Sequence, residues 1–310
     1  MSNCLVTGGA GFIGSHLVRR LLADGHTVRV VDDLSTGDRG NLAGTGAELI
    51  VADLVSADLG PLVAGQNVVF HLAAVGSVPR SVKDPLRSHE AAATATLRLL
   101  IAARDASIPR FISSSSSSVY GDVAQPPMRE SMPTLPRSPY AVAKLGGEGY
   151  VRVFAQLYGM STVSLRYFNV FGPRQSPESA YAAAIPRFIK AYRDRQRPVV
   201  YGDGRQSRDF TYVDNVVDAN LRAASAARLG GESINVAAGD PRSVLDVLEA
   251  IATHFGYRVE PRFEPARPGD IRDSHADISL AARMLAYAPG VAFETGLRRT
   301  AEWLCGSEGS

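Results

Sequence analysis

Tyr140 and Lys144 stand four residues apart, just behind Ser138 and Pro139. Pro139 suits the first turn of a helix, where its missing N–H costs nothing. Residues four apart on a helix share a face, so the phenol and the ammonium lie one turn apart on one side. A lysine ammonium beside a phenol favours the phenolate, and a second cation adds to the effect. Bringing a phenol from a pKa near ~10 to near ~7 takes about 4 kcal/mol, at roughly 1.36 kcal/mol per unit. Two positive charges in a low-dielectric cleft are strong enough for that. Such a pair could pass a proton at neutral pH. Tyr-x-x-x-Lys also arises by chance on many helices, so its meaning depends on what the chain sets beside it. Lys83, Lys144 and Lys190 are the only lysines among 33 basic residues. A lysine retained in so arginine-rich a chain marks a place that calls for a compact ammonium.

A second set of residues opens the chain. Cys4 to Val6 reads as a buried strand, followed by Gly8, Gly11 and Gly14 and then by Ile13, Leu17, Leu21 and Leu22 at helical spacing up to Gly25. Strand, glycine turn and helix N-terminus form the geometry that holds a pyrophosphate, because unpaired N–H groups and the helix dipole attract anions there. Gly8 would make the turn, Gly11 would let backbone approach phosphate, and Gly14 would let helix pack on strand. The GxxGxxG spacing departs from the commoner GxGxxG, and an ordinary glycine-rich turn would look the same. The second strand, Val28 to Val31, ends in Asp32 and Asp33. An acid there, about twenty residues past the glycines, can bind both hydroxyls of an adenosine ribose and repel a 2′-phosphate, which favours NAD over NADP. The bland reading is an acid capping a strand end. Asp53-Leu54 follows a third strand, Ala47 to Ala52, where an adenine edge would lie; Asp53 either accepts from the adenine amino group or makes a turn. A fourth strand, Asn67 to His71, leads into Leu72-Ala73-Ala74, small enough for close approach by the middle of a dinucleotide. His71 reads as a packed histidine at the strand end.

These elements need a frame. Ala91 to Ala106 reads as an alanine-rich helix and Arg110 to Ser114 as a fifth strand. Five alternations of strand and helix predict a parallel, doubly wound α/β sheet of Rossmann type. The 310 residues are enough for a large core in one big domain or two unequal lobes. Apolar content of 45% and charge of 21% are ordinary for a soluble protein. A net charge of +2 suggests no nucleic-acid partner. No run is long enough to span a membrane, and the first strand begins too early for a signal peptide. Cys4 and Cys305, at opposite ends, suggest neither a disulfide framework nor a metal site. The expectation is a cytoplasmic protein without metal.

Taken together, the glycines, Asp32, the serine run Ser113 to Ser118 and the Tyr140/Lys144 pair resemble the extended short-chain dehydrogenase/reductase superfamily, within it the NAD-dependent nucleotide-sugar epimerases and dehydratases of the UDP-galactose 4-epimerase-like branch. The resemblance runs from Cys4 to about Trp303. It implies NAD as cofactor, with contacts from Gly8, Gly11, Phe12, Ile13, Gly14, Asp32, Asp53, Leu54, Leu72, Ala73, Ala74, Tyr140, Lys144 and Tyr167. It implies Tyr140 as acid/base and Lys144 as the residue that holds the nicotinamide ribose and tunes the tyrosine. The family's catalytic Ser/Thr stands four residues before the tyrosine of a Val-Tyr-Gly motif, here Val119-Tyr120-Gly121, which selects Ser116. Related 4,6-dehydratases carry an Asp-Glu pair directly after that serine, and UDP-glucuronate decarboxylases usually a Glu at the second of these positions. Ser117 and Ser118 stand there, and hydroxyls cannot replace carboxylates in those proton transfers, so C4 epimerisation through a transient 4-keto sugar is expected.

Three further signatures resemble the family's substrate lobe. Asn169, in Arg166-Tyr167-Phe168-Asn169-Val170-Phe171-Gly172-Pro173-Arg174-Gln175, matches a diphosphate contact. Arg208, in the segment from Tyr201 to Phe210, and Arg267, in Arg267-Pro268-Gly269-Asp270, match diphosphate-binding arginines, and Asp270 a uridine-ribose ligand. Ser274 matches a wall position beside the sugar's C2 substituent, where a tyrosine would crowd out N-acetyl groups, and the loop Gln175 to Pro186 resembles that of N-acetylhexosamine 4-epimerases. The resemblance thus implies a UDP-GlcNAc/UDP-GalNAc epimerase that also accepts UDP-Glc/UDP-Gal, with Ser116, Ser117, Ser118, Tyr140, Asn169, Arg208, Arg267, Asp270 and Ser274 around the substrate. A UDP-glucuronate 4-epimerase is the alternative, since the serines after Ser116 could bind a carboxylate; a dehydratase and a catalytically silent NAD-binding regulator are further ones. Residues 1–168 would form the NAD-binding domain, a segment of about 208–236 would return to it, and 169–310 would be mainly a smaller α/β substrate lobe. The family's homodimer contact would fall on the helices around Ala91–Ala106 and Tyr140–Tyr158. One departure stands out: the family often has Asn where this chain has Ala92, before Ala95-Thr96.

Overall fold

Short apolar strands separated by amphipathic helices can bury both faces of a sheet only if helices cover each side. The computed structural model, which describes residues 1–121, 125–177, 184–266 and 272–306, has that arrangement. Its strands are β1 (Asn3–Thr7), β2 (Thr27–Asp32), β3 (Glu48–Val51), β4 (Val68–His71), β5 (Arg110–Ser116), β6 (Ser161–Tyr167), β7 (Val199–Tyr201), β8 (Ser207–Asp209), β9 (Gly230–Val236), β10 (Pro241–Ser243), β11 (Arg262–Glu264) and β12 (Asp273–Ser274). Seven of them form one sheet in the order β3-β2-β1-β4-β5-β6-β9, every pair parallel. The order reverses between β1 and β4, and a crevice opens there at the carboxyl ends of the strands.

The helices are α1 (Phe12–Ala23), α2 (Gly60–Val63), α3 (Val78–Lys83), α4 (Pro85–His89), α5 (Ala95–Asp105), α6 (Pro139–Tyr158), α7 (Ala184–Arg193), α8 (Val213–Ser225), α9 (Val244–Phe255), α10 (Ser279–Leu285) and α11 (Phe293–Gly306). Successive strand residues face opposite sides of the sheet. Cys4 and Val6 therefore pack with Leu17 and Leu21 of α1 and Val216 of α8, whereas Leu5 packs with Leu99 and Leu100 of α5 and Val151 of α6. A separate core joins Phe188 and Ile189 of α7, Val247 and Ile251 of α9, and Phe293 and Leu297 of α11. Beside it lie a three-stranded sheet, β10-β8-β12, and a two-stranded one, β11-β7. This is the smaller α/β lobe. Among the described residues no helix is long and apolar enough to cross a membrane.

Several strand bounds differ from the sequence reading, β5 running to Ser116 rather than Ser114, and two differences have a local cause. The third strand is shorter than Ala47–Ala52, because Ala52 already hydrogen-bonds back to the end of β2 as the chain turns. The helix expected from Ala91 begins instead as a π-turn, Glu90–Thr94, before α5. Inside it the Thr96 hydroxyl donates to the Ala92 carbonyl and meets His71 Nε2 at 2.9 Å, while His71 Nδ1 meets the Thr7 hydroxyl at 2.8 Å. His71 is buried between β1 and the first turn of α5, and burial pushes its imidazole down to about 3, so it packs there neutral. Ala92 is buried against Ala93 and Ala143 of α6.

Candidate active site

The glycine turn narrows in the way its residue types require. Gly8 has φ +70°, and a Cβ there would lie 2.7 Å from the Ala73 nitrogen. A Cβ on Gly14 would lie 2.1 Å from the Gly8 carbonyl oxygen, so α1 can rest on the turn only without one. Gly11 is the N-cap of α1 and offers no side chain to the first N–H groups. Those groups face a cleft of about 360 Å³ lined by Gly8, Gly11, Phe12, Ile13, Gly14, Asp32, Asp33, Asp53, Leu54, Leu72, Ala73, Ala74, Ser114, Ser115, Tyr140, Lys144 and Tyr167, among others. All the expected cofactor contacts lie on this one cleft. A cradle closed to any Cβ, an uncapped helix N-terminus and an acid at the end of β2 fit a dinucleotide.

Asp32 is buried, and burial pushes its carboxyl up while the N–H groups of Leu34 and Ala10 pull it back down. Oδ2 accepts from Ala10 N at 3.0 Å and Oδ1 from Leu34 N at 2.9 Å. Leu34 adopts a left-handed φ of +57° as it supplies that N–H. Each oxygen keeps a lone pair for a hydroxyl. Asp53 makes the turn that was one of its two readings and adds an ion pair. Oδ1 accepts from Val55 N in a turn, while Oδ2 accepts from Arg87 Nη1 at 2.9 Å. Arg87 of α4 also holds Asp33 Oδ2, at 2.7 Å through Nη2. Sequence reading missed Arg87, because no spacing links α4 to the ends of β2 and β3.

At the other end of the cleft, Ser138 caps α6 by accepting from Ala141 N, and Pro139 fills its first turn. Tyr140 and Lys144 share the face toward β5. Lys144 is 8% exposed, and its Nζ donates to the Ser114 carbonyl at 2.8 Å and to Ser114 Oγ at 3.2 Å. Burial lowers the ammonium to about 8, and the carboxylate of Glu148 opposes that fall. Ser116 beside the Tyr140 hydroxyl favours the phenolate, but burial outweighs it and holds the phenol above its ordinary range. The phenolate expected from the neighbouring lysine is therefore not produced by the protein's own groups. Lys144 Nζ stands 6.0 Å from the centroid of the Tyr140 ring. Ser116 also accepts from Ser118 N at 3.2 Å and from Ser118 Oγ at 2.9 Å, whereas Ser117 enters a short 3₁₀ turn with Tyr120.

Behind this face lies a buried ion pair that the sequence did not announce. Glu148, one turn beyond Lys144, accepts from Arg166 Nε at 2.9 Å and Nη2 at 2.6 Å, from Ser115 Oγ at 2.5 Å and from Ser233 Oγ at 2.8 Å. The guanidinium of Arg166 also lies 4.7 Å above the Tyr120 ring. Burial disfavours its charge, but the hydrogen bonds to Glu148 prevail and hold it above its ordinary value.

Asn169, at φ +32°, starts the crossing into the smaller lobe and donates to the Asp209 carbonyl at 3.3 Å. It shares a second cleft, of about 250 Å³, with Arg208, Tyr201, Phe210, Phe188 and Arg187. Arg187, Phe188 and the aromatic pair Tyr201 and Phe210 were not singled out in the sequence. Ser274 is buried on β12, in register with Arg208 on β8. Arg267 and Asp270 lie outside the described residues, as does part of the loop after Gln175. Among the described residues no group of three His, Cys, Asp or Glu is placed to hold a metal ion.

A sheet that reverses at a glycine cradle, with serine, tyrosine and lysine at one end of the crevice, defines a dinucleotide-binding α/β protein equipped for proton transfer beside its cofactor. The profile of the NAD dependent epimerase/dehydratase family matches residues 4–237, and the chain belongs to that family. Its cofactor is NAD. The UDP-glucose 4-epimerase of Mycolicibacterium smegmatis is 42% identical over 306 residues, which cover 96% of this chain and 97% of that protein. Among solved structures, the UDP-N-acetylglucosamine 4-epimerase from Methanobrevibacter ruminantium, in complex with UDP-N-acetylmuramic acid, superposes with a TM-score of 0.95 at 42% identity over 99% of each chain. The UDP-glucose 4-epimerase of Thermotoga maritima with UDP-glucose gives a TM-score of 0.94 at 36% identity, again over 99% of each chain.

Proposed function

We propose that the protein is an NAD-dependent UDP-hexose 4-epimerase that interconverts UDP-GlcNAc and UDP-GalNAc and also accepts UDP-Glc and UDP-Gal. The observation that carries this reading is the Ser116–Tyr140 contact beside Lys144 on the cofactor cleft, with hydroxyls rather than carboxylates at Ser117 and Ser118. Bound NAD⁺ supplies reversible hydride acceptance at sugar C4. The chain's own groups handle the proton and the position of the sugar. Tyr140, ionised once the positive charge of the bound nicotinamide adds to that of Lys144, would take the proton of the C4 hydroxyl and return it, and Ser116 would bridge hydroxyl and phenol. Lys144, fixed by Ser114, holds the nicotinamide ribose and presents its positive charge to the Tyr140 ring. Asn169 and Arg208 hold the diphosphate, with Tyr201, Phe210 and Phe188 offering the apolar wall that a base requires. A sugar held loosely while its nucleotide is held tightly can turn over between the two halves of the reaction. Ser274, small and in register with Arg208, is the position this reading assigns to the wall beside an acetamido group.

The matching family profile and the names of the relatives support epimerisation of a UDP-sugar. A coupled assay across UDP-Glc, UDP-GlcNAc and UDP-GlcA with NAD tests the reading. Turnover of the first two is expected. Turnover of UDP-GlcA alone would replace it with the uronate reading, and release of a 4-keto-6-deoxy sugar would replace it with dehydration. We further infer a homodimer, from the exposed apolar residues Ile101 of α5 and Val142, Val153 and Leu157 of α6.

A further inference from the structure

The sheet order fixes which end of the cofactor cleft is which. The ends of β2 and β3 lie on one side of the glycine turn, and β5 with Tyr140 and Lys144 on the other. The adenosine half of a dinucleotide therefore belongs at the β2–β3 end. Asp33, Asp53 and Arg87 all line that end. Each carboxylate is fixed to its own backbone by one oxygen, Asp33 Oδ1 to Ser35 N at 2.9 Å and Asp53 Oδ1 to Val55 N at 2.9 Å. Each gives its other oxygen to the same guanidinium, at 2.7 and 2.9 Å. All three side chains are about a third exposed, and ion pairs that wet contribute little to folding. What they do is geometric: one planar fork ties α4 across the mouth of the cleft to two strand ends.

We propose that Arg87 is a specificity-determining residue of the cofactor cleft, which closes its adenosine end around NAD and is kept by Asp33 from holding a 2′-phosphate. An arginine near this ribose is the feature that accommodates NADP in dinucleotide folds. Here that arginine is present but committed to two acids. The NAD preference thus has two layers: Asp32 repels the 2′-phosphate, and Asp33 occupies the cation that could receive it. The inference rests on the placement of NAD in this cleft.

The test titrates NAD and NADP calorimetrically into the full chain stripped of nucleotide, for the wild type, Arg87→Ala, Asp33→Ser and the double variant. Arg87→Ala is expected to weaken NAD about tenfold, with the thermal midpoint of the nucleotide-free chain unchanged, since a charge-assisted fork is lost from the cleft and not from the core. Asp33→Ser is expected to tighten NADP about tenfold, because the freed guanidinium meets the 2′-phosphate. The double variant is expected to lose that gain. Wild-type affinity for NAD in Arg87→Ala, or an NADP gain that survives in the double variant, would overturn the proposal. Failure of the wild type itself to bind NAD would instead remove the cofactor placement on which it rests.

Discussion

Lys144 owes its low pKa to the removal of its ammonium from water between α6 and β5, which lowers it from 10.5 to about 8 against the pull of Glu148. The charged form predominates at pH 7 and is lost as the pH rises through about 8. If the ammonium holds ribose and phenol, kcat/KM is expected to be level near neutrality and to fall above pH 8, with a matching limb absent from Lys144→Arg. Stability runs the other way. The folded pKa lies below the unfolded one, so between about 8 and 10.5 the unfolded chain binds more protons and the burden of the buried charge is relieved. Relative to Lys144→Met, the wild type should gain stability across that window, by up to about 3 kcal/mol. A denaturation series that shows the opposite slope would count against a buried ammonium. Tyr140→Phe should lower kcat by a hundredfold or more, about the contribution of a positioned acid/base, while the NAD content of the purified protein stays that of the wild type. Ser274→Tyr should abolish turnover of UDP-GlcNAc and leave UDP-Glc turnover in place; equal loss of both would show that the residue is not at the sugar. At this scale the sequence was legible where spacing alone sets geometry, as at Gly8, Gly14, Tyr140 and Lys144. It was not legible for Arg87, whose partners arrive from two other strands, nor for the pKa of Tyr140, since burial is a property of the folded surroundings.

Elements position these groups, and α6 does most of it. Its inward face carries Lys144 and Glu148 among Ala141, Ala143 and Gly147, small residues that let the helix lie close to β5 and the π-turn. Glu148 then closes the gap with four hydrogen bonds from Arg166, Ser115 and Ser233. Removing one partner from such a pair strands the other charge in the interior, which costs about 3–5 kcal/mol. Glu148→Gln should therefore lower the urea midpoint strongly, whereas Glu148→Leu with Arg166→Met should be milder than either change alone. Additive losses in that double cycle would mean that the two side chains are held independently. The periodicity of α6 gave no sign of this pair, because a charged residue at a buried position looks like one on a solvated face until strands β6 and β9 are placed beside it. The π-turn at Glu90–Thr94 was hidden for a related reason: a run of alanines fits any helical pitch.

For the whole molecule, the large sheet was legible from its alternation of strands and helices, whereas the strands of the smaller lobe, a lobe that only the family resemblance implied, were not. Its strands are two or three residues long and pair across the chain, β10 with β8 and β11 with β7, so no local pattern predicts them. What the fold leaves uncovered leads to the last expectation. Val142, Tyr150, Val153 and Leu157 of α6 are 53%, 38%, 41% and 70% exposed. Their spacing places them along one stripe of the helix, and Gly149 on the same side leaves open space beside it. Ile101 of the adjoining helix α5 is also exposed. A stripe of this kind on two packed helices suits a second copy of itself, since a twofold contact repeats the same patch on both partners. Apolar surface removed from water contributes about 25 cal/mol per Å², so the stripe favours association while charge on it opposes. Val153→Glu with Leu157→Glu should convert a dimer into a monomer by light scattering at micromolar concentration. Both residues lie away from Tyr140 and Lys144, so NAD content should survive the change. A wild type that scatters as a monomer, or a double variant that remains a dimer, would assign the stripe to something other than self-association.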